Sequence, residues 1–257
     1  MANVNVLMTV YNEETFLPYA IRSCLPHVKT LTIVEGAYRE TIAVGAPPRS
    51  TDNTIKIAKS FLPHSSDPLQ FQKVTLLHAN EKSDLHQRNI GLEAIKKTDP
   101  NGWLLIIDGD EVYEPITFKM IEALTKKMDN CGARAAYFKS LTFVNDLNHY
   151  CEQEFPRLFK LTPECQFVND NYMWWDDKTQ WGLPTVIKAP NIRFFHYSFC
   201  KGSQRFALKK KWWETRFQQP FNYSWHFDET GNIADKGHQI MGFTGQHPPV
   251  MADHPLR

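Results

Sequence analysis

The chain has 257 residues, 42% hydrophobic and 22% charged, which sustains a normal globular core of one large domain or one core with an appended lobe. Its 29 basic and 28 acidic residues leave a formal net charge of +1, so whole-chain charge names no partner. The five cysteines, Cys24, Cys131, Cys151, Cys165 and Cys200, are odd in number and contain no Cys-x-x-Cys pair. That argues against a disulfide framework or structural zinc and for free thiols in a reducing compartment.

The N-terminus enters a strand-like run, Val4–Val10, without a basic start or a long apolar stretch, so it does not read as a signal peptide. No apolar run approaches the ~20 residues that span a bilayer. The expected compartment is the cytoplasm, with a membrane surface left open as a place of work. Thr15–Leu25 reads as a helix and Leu31–Val34 as a second strand. Gly36 to Ser50 reads as a loop rich in Gly, Pro and small residues. Asp52–Leu62 follows as a helix that Ser50 or Thr51 can cap. Val74–Leu77 is a third strand. Asp84–Lys97 is a third helix, with Asp84 and Gln87 at capping-box spacing. Trp103–Ile107 is short and wholly apolar, as a strand buried on both faces requires.

This alternation predicts an α/β fold, a mostly parallel sheet with helices on both faces. Ligands in such sheets bind beyond the carboxyl ends of the strands. Polar residues stand at four of those ends: Tyr11-Asn12-Glu13, Glu35-Gly36, Asn80-Glu81 and Asp108-Gly109-Asp110-Glu111. Asp108 and Asp110, one residue apart beyond a buried strand, can face one point and hold a hard cation such as Mn²⁺ or Mg²⁺. Phosphate oxygens and water would fill its other positions. A cation so placed neutralises a diphosphate leaving group. An isolated Asp-x-Asp is also an ordinary acidic turn; its place after the fourth strand is what singles it out.

The first ~115 residues resemble the family 2 glycosyltransferases of the GT-A fold. Four runs carry the resemblance: Val10-Tyr11-Asn12-Glu13-Glu14, Ser50-Thr51-Asp52-Asn53-Thr54, Arg88-Asn89-Ile90-Gly91-Leu92 and Asp108-Gly109-Asp110-Glu111. The resemblance implies transfer of a sugar, with inversion, from a nucleotide diphosphate donor, usually a UDP-sugar. It implies that Tyr11 and Glu13 line the nucleoside pocket, that Glu35 contacts base or ribose, and that Arg88 approaches the diphosphate, with Asp108 on the donor. Tyr11 packed beside the sheet, Glu35 as a turn acid and Arg88 paired with Asp84 are the plainer readings. The family's Ser-Thr-Asp run normally follows its acidic strand end at once; here Ala37 to Arg49 intervene and reshape the donor pocket.

The second half has a different texture and reads as a smaller, mixed, acceptor-side lobe. Residues 1–115 form the donor half, and 116–257 the acceptor half and tail, of one continuous domain. Thr117–Asn130 reads as a helix, and Ala135–Phe143, Phe155–Leu161 and Ile192–Tyr197 as strands. Phe194-Phe195-His196-Tyr197 resembles the late His-Tyr element of some family members, which makes His196 a third metal ligand or a strand-end histidine with a local hydrogen bond. An inverting transfer needs a base on the acceptor side. Asp176 and Asp177, after Trp174-Trp175, are the first candidates, with Glu152 and Glu154 in reserve. Lys201 to Arg216 is basic and interleaved with Phe206, Trp212 and Trp213. Such a segment either meets a polyanion or is a solvated helix face. The acceptor classes in view are a glycan, a lipid-linked glycan, a protein and a modified nucleic-acid base. A carbohydrate-binding protein without turnover and a haloacid-dehalogenase-type phosphohydrolase are the alternatives. A dinucleotide enzyme or P-loop enzyme lacks its glycine motif.

Overall fold

The structure is a computed structural model describing residues 3–62, 73–79, 83–168, 172–175, 186–200, 203–218, 226–227, 233–234 and 239–256. β1 (Asn5–Val10) is buried along its whole length. Val4, Val6, Met8 and Val10 belong to one apolar cluster and Leu7 to another, so the strand has protein on both faces. Strict alternation of side chains sorts them this way. β1 pairs in parallel with β2 (Thr30–Glu35), and β2 with β3 (Val74–His78). On its other side β1 pairs in parallel with β4 (Trp103–Ile106). Helices α1 (Leu17–Cys24), α3 (Thr54–Ser60) and α5 (Pro115–Cys131) contribute to the cluster on one face. Helix α4 (Asp84–Lys96) contributes to the cluster on the other. A short helix, α2 (Arg39–Ala43), lies in the segment after β2. The expected α/β arrangement, with helices on both faces, is therefore the one found.

The second half continues the same sheet. β5 (Glu111–Val112), β6 (Ala135–Val144), β7 (His149–Lys160), β10 (Val186–Phe199) and β13 (Met241–Gly242) complete nine strands among the described residues, in the order β3-β2-β1-β4-β7-β6-β10-β5, with β13 on β7. Two small ribbons stand apart: β8 (Gln166–Phe167) with β9 (Met173–Trp174), and β11 (His226–Phe227) with β12 (Ile233–Ala234). The last helix, α6 (Ser203–Phe217), follows β10.

Several local expectations are corrected. β7 and β10 run longer than their apolar centres, because half-exposed residues at their ends still pair with β6. Pro190 falls where β10 loses register with β6, as a residue without an N–H must. The segment from Gly36 to Ser50 is not all loop, since it holds α2. Neither Ser50 nor Thr51 caps α3: Ser50 Oγ accepts from the Asn12 N–H, and Asp52 Oδ1 accepts from the Thr54 N–H. The Asp84–Gln87 capping box is absent. Ser83 caps α4, and the Gln87 amide turns inward to donate to the carbonyls of Gly36, Ala37 and Ala79 at 3.1, 3.2 and 3.0 Å. Three strand-end carbonyls without ladder partners outcompete the cap. Gly91 lets α4 sit directly on the sheet; a Cβ there would lie 2.2 Å from Leu7 Cδ1 and 2.9 Å from Val34 Cγ2.

Candidate active site

The chain turns sharply after β4. The Glu111 N–H donates to the Asp108 carbonyl at 2.9 Å, and the chain then enters β5. β5 pairs antiparallel with β10, with Glu111 opposite His196. That pairing delivers His196 to the acidic turn. Its Nε2 lies 3.5 Å from Asp110 Oδ1, and the neighbouring Tyr197 N–H donates to the Asp110 carbonyl at 3.0 Å. The Nδ1 of His196 is buried with no hydrogen-bond partner among the described residues. Between the two acids, Gly109 serves close packing. A Cβ there would lie 2.7 Å from Glu13 Cγ and 3.0 Å from Val10 Cγ1, so Glu13 is seated against the turn itself.

Two arginines face the carboxylates. Arg157 of β7 donates through Nη2 to Asp108 Oδ2 at 3.1 Å and to Glu111 Oε1 at 2.5 Å, and through Nε to Glu111 Oε2 at 3.2 Å. Arg88 of α4 donates to Asp108 Oδ1 at 3.3 Å, while its Nε and Nη1 are buried without an acceptor among the described residues. Burial alone would raise the Asp108 carboxyl; Arg157 and Arg88 outweigh it and hold the group below the ordinary value. Glu111 goes the other way. Burial pushes it up to about 7 against the pull of Arg157. Asp108 is thus the ionised, arginine-bound acid, and Asp110 is the one turned toward His196. Arg88 pairs with Asp108 and not with Asp84, which pairs with Arg216 of α6.

The turn after β1 is built by a clasp between two sequence runs. Asn12, at φ 47°, adopts the left-handed backbone that Asn tolerates. Its N–H meets Ser50 Oγ at 2.9 Å, and its Oδ1 accepts from the Thr51 N–H at 2.8 Å. The Glu13 N–H meets Thr54 Oγ1 at 2.5 Å, the Glu14 N–H meets Asp52 Oδ2 at 3.1 Å, and the Asn53 N–H meets Glu14 Oε2 at 3.0 Å. Glu35 is fully buried. It accepts from Arg49 Nε at 2.7 Å and the Ser50 N–H at 2.8 Å, and its Oε2 lies 3.1 Å from His78 Nδ1. Glu35 therefore anchors the end of the inserted segment. The Tyr11 hydroxyl also reaches that segment, donating to the Pro47 carbonyl at 2.8 Å.

Tyr11, Glu13, Asp108 and Asp110 come together at the carboxyl ends of β1 and β4, with Arg88 from α4 and His196 from β10. Glu35 stands at the end of β2 beneath Arg49. Among the described residues no three His, Cys, Asp or Glu side chains form a metal-binding group. Asp108 is drawn to the arginines, which leaves Asp110 and His196 as a pair. Such a pair fits a cation that takes its remaining ligands from phosphates and water. Asp176 and Asp177 lie outside the described residues. The two tryptophans before them separate: Trp175 is buried and donates through Nε1 to the Lys160 carbonyl at 2.6 Å, whereas Trp174 is exposed. Glu152 and Glu154 pair with Lys139 and Lys188. Alternation along β7 puts them on the face opposite Phe155, whose ring meets His196, so they do not point at the acidic turn. The basic helix also splits, since Lys209 turns in to Ser198 and the Phe199 ring while Lys210 and Lys211 are exposed. Arg157 escaped the sequence reading. Its one signal is a charged residue inside an otherwise apolar strand run, Pro156-Arg157-Leu158-Phe159.

Among solved structures, residues 1–349 of TarS from S. aureus share 9% identity with this chain at a TM-score of 0.46, covering 86% of this chain and 74% of that one. A longer TarS structure from S. aureus shares 10% identity at a TM-score of 0.47, with 86% of this chain and 45% of that one covered. A UDP-glucose pyrophosphorylase complexed with UDP-glucose gives 9% identity and a TM-score of 0.35, over 67% of this chain and 73% of that one. No curated protein sequence matches the chain. The profile described as Glycosyl transferase family 2 matches residues 5–175, from β1 through the acidic turn to Trp175. The chain belongs to glycosyl transferase family 2 and is a glycosyltransferase.

Proposed function

We propose that the strand-end cleft binds a nucleoside-diphosphate sugar, a UDP-sugar first among them, with a divalent cation, Mn²⁺ or Mg²⁺. The sugar, a hexosyl group, passes with inversion to a hydroxyl of a glycan or lipid-linked glycan. The observation that carries this reading is the pairing of Asp110 with His196 at 3.5 Å, beside an Asp108 already held by two arginines. Asp110 and His196 would hold the cation. When bound, the cation neutralises charge gathering on the departing diphosphate.

The chain's own residues divide the remaining work. Arg88 brings buried positive charge to the phosphates. Tyr11 and Glu13 line the nucleoside, and Arg49, held on Glu35, closes the far side of that pocket. Asp108 orients the donor while Arg157 fixes it from behind. Asp176 or Asp177 takes the proton from the acceptor hydroxyl as the glycosidic bond breaks. The anchoring of Trp175 in the core supports this choice, because it fixes where the chain departs toward those acids. Exposed Trp174 offers a face on which an acceptor sugar can stack. Residues 1–115 thus serve the donor and 116–257 the acceptor.

No helix among the described residues is long and apolar enough to cross a membrane. All five cysteines are free, and Cys131 is exposed. A reducing, cytoplasmic site of action accords with both. A nucleic-acid base as acceptor rests only on the exposed lysines of α6 and is the lesser acceptor reading.

Titration of UDP with and without Mn²⁺ tests the proposal on wild type and Asp110→Asn. Mn²⁺ should tighten UDP binding to the wild type, and that increment should vanish in the variant, whose melting temperature stays unchanged. Undiminished sugar transfer in excess EDTA would overturn the metal-dependent reading.

A further inference from the structure

Beyond Arg88, a second side chain near the cleft, half-buried Trp212, keeps a buried, unspent N–H. Arg88 Nε and Nη1 have no acceptor among the described residues, and its side chain is only 7% exposed. Trp212 Nε1, on α6, is likewise buried without an acceptor. Native proteins rarely bury donors unmet, and each that is left so calls for a specific partner.

The two residues border the same end of α4. Asp84 and Arg88 lie one turn apart on that helix. Arg216 of α6 pairs with Asp84, and its guanidinium sits 5.3 Å from the centre of the Trp212 ring. From the inserted segment, the Tyr38 ring lies 6.0 Å from that of Trp212, and its hydroxyl lies 3.4 Å from Thr9 Oγ1 near the end of β1. Helix α6 and the start of the insertion therefore meet over the carboxyl end of the sheet, where α4 begins. The unspent groups there include the N–H donors of Arg88 and Trp212 and one acceptor, Gln87 Oε1. The nearby carboxylates, Asp84 and Asp108, are already bound by arginines. A guanidinium and an indole N–H left unmet side by side suit acceptor oxygens that carry negative charge.

We propose that Trp212 donates its indole N–H to the diphosphate of the donor, beside Arg88, so that α6 and the segment around Tyr38 form the outer wall of the donor site. The inference rests on the nucleotide-sugar reading above and adds a donor-binding residue from beyond the segment that matches the family. Tyr38 and Trp212 come from an insertion and from the C-terminal third, so this wall belongs to the chain's own elaborations.

Trp212→Phe keeps an aromatic ring against Tyr38 and Arg216 and removes only the N–H. Its affinity for UDP and for inorganic pyrophosphate, measured by calorimetry with Mn²⁺, should fall about tenfold, the loss of one hydrogen bond to a charged group. Uridine binding should not change. A second measurement needs only wild type: the ¹⁵N-indole resonance of Trp212 should shift on addition of UDP or pyrophosphate and stay put with uridine. Unchanged UDP affinity in the variant, an equal loss for uridine, or an indole resonance indifferent to pyrophosphate would each overturn the proposal while leaving the donor site in place. If wild type binds neither UDP, another nucleoside diphosphate nor pyrophosphate, the donor site itself falls and this wall with it.

Discussion

Replacing Arg157 by Met tests the electrostatic frame beneath the acidic turn. Glu111 is fully buried, and the Arg157 side chain is 3% exposed. Removing one partner of such a pair leaves a carboxylate in a low-dielectric interior with no cation. The expected cost is about 3–5 kcal/mol. For a domain of this size that lowers the melting temperature by roughly 6–20 °C. The double variant Arg157→Met/Glu111→Leu should regain more than half of the loss, because the stranded charge is gone and Asp108 keeps Arg88. The pH dependence has a definite sign. Burial raises the Glu111 carboxyl from 4.5 to about 7 even with Arg157 present. Between those values the folded state keeps a proton that the unfolded state releases, so stability falls as pH rises through the window. Without Arg157 the carboxyl rises further, and the variant should be partly rescued by acidifying to about pH 5. Calorimetric melting from acid to neutral pH reads both effects. A single variant melting within about 2 °C of wild type at neutral pH would refute the reasoning, as would a loss that acid deepens.

Two further substitutions probe the insertion and the basic helix. Glu35→Gln keeps the side chain's size but loses the charge and turns one of the two oxygens that accept from Arg49 and Ser50 into an NH2 donor, which should cost about 1.5–3 kcal/mol and speed amide hydrogen exchange across residues 37–50; unchanged protection there would mean that the segment is held by other contacts. Lys210→Gln/Lys211→Gln should flatten the log–log salt dependence of acceptor binding by about 1–2 if both lysines meet phosphates, with donor hydrolysis unaffected; an unchanged slope would make them a solvated face.

The first half was legible because its strands are short, apolar and punctuated by polar ends. β1 and β4 are buried along their length, a pattern that neither a half-exposed strand nor a surface helix produces. The Asp-x-Asp turn could be located because it follows the last of these strands. The direction in which each acid would face was not legible. It depends on Arg157, which arrives from β7, 49 residues after Asp108. Long-range pairings of this kind leave no periodic trace. Glu35 shows the same limit: as a strand-end acid it looks ligand-facing, yet Arg49, 14 residues on, occupies it. The caps failed because of contacts distant in sequence. Ser50 and Gln87 each had a tertiary partner better than the helix end in their own run.

The longer reach of the chain matters most at His196. The family match ends at residue 175, yet His196 lies beyond it on β10, inside the sheet and opposite Glu111. Besides its strand pairings, that stretch of β10 is held through Tyr197. The Tyr197 N–H is tied to Asp110, its hydroxyl donates to His247 Nδ1 at 2.8 Å, and its ring stacks on Phe16 of the N-terminal half at 4.8 Å. His247 passes the chain of bonds on to the Leu147 carbonyl at 2.9 Å, which places its proton on Nε2 and leaves Nδ1 as the acceptor. Phe16 also stacks on His254 at 4.6 Å. The tail thus closes over the N-terminal helix and over Tyr197 at once. The residue next to His196 is thus packed between the start and the end of the chain, while the β5–β10 pairing sets His196 opposite the acidic turn. The acidic turn can be read from the first half of the sequence, but its partner arrives by strand pairing from β10, beside a tyrosine that the tail packs against.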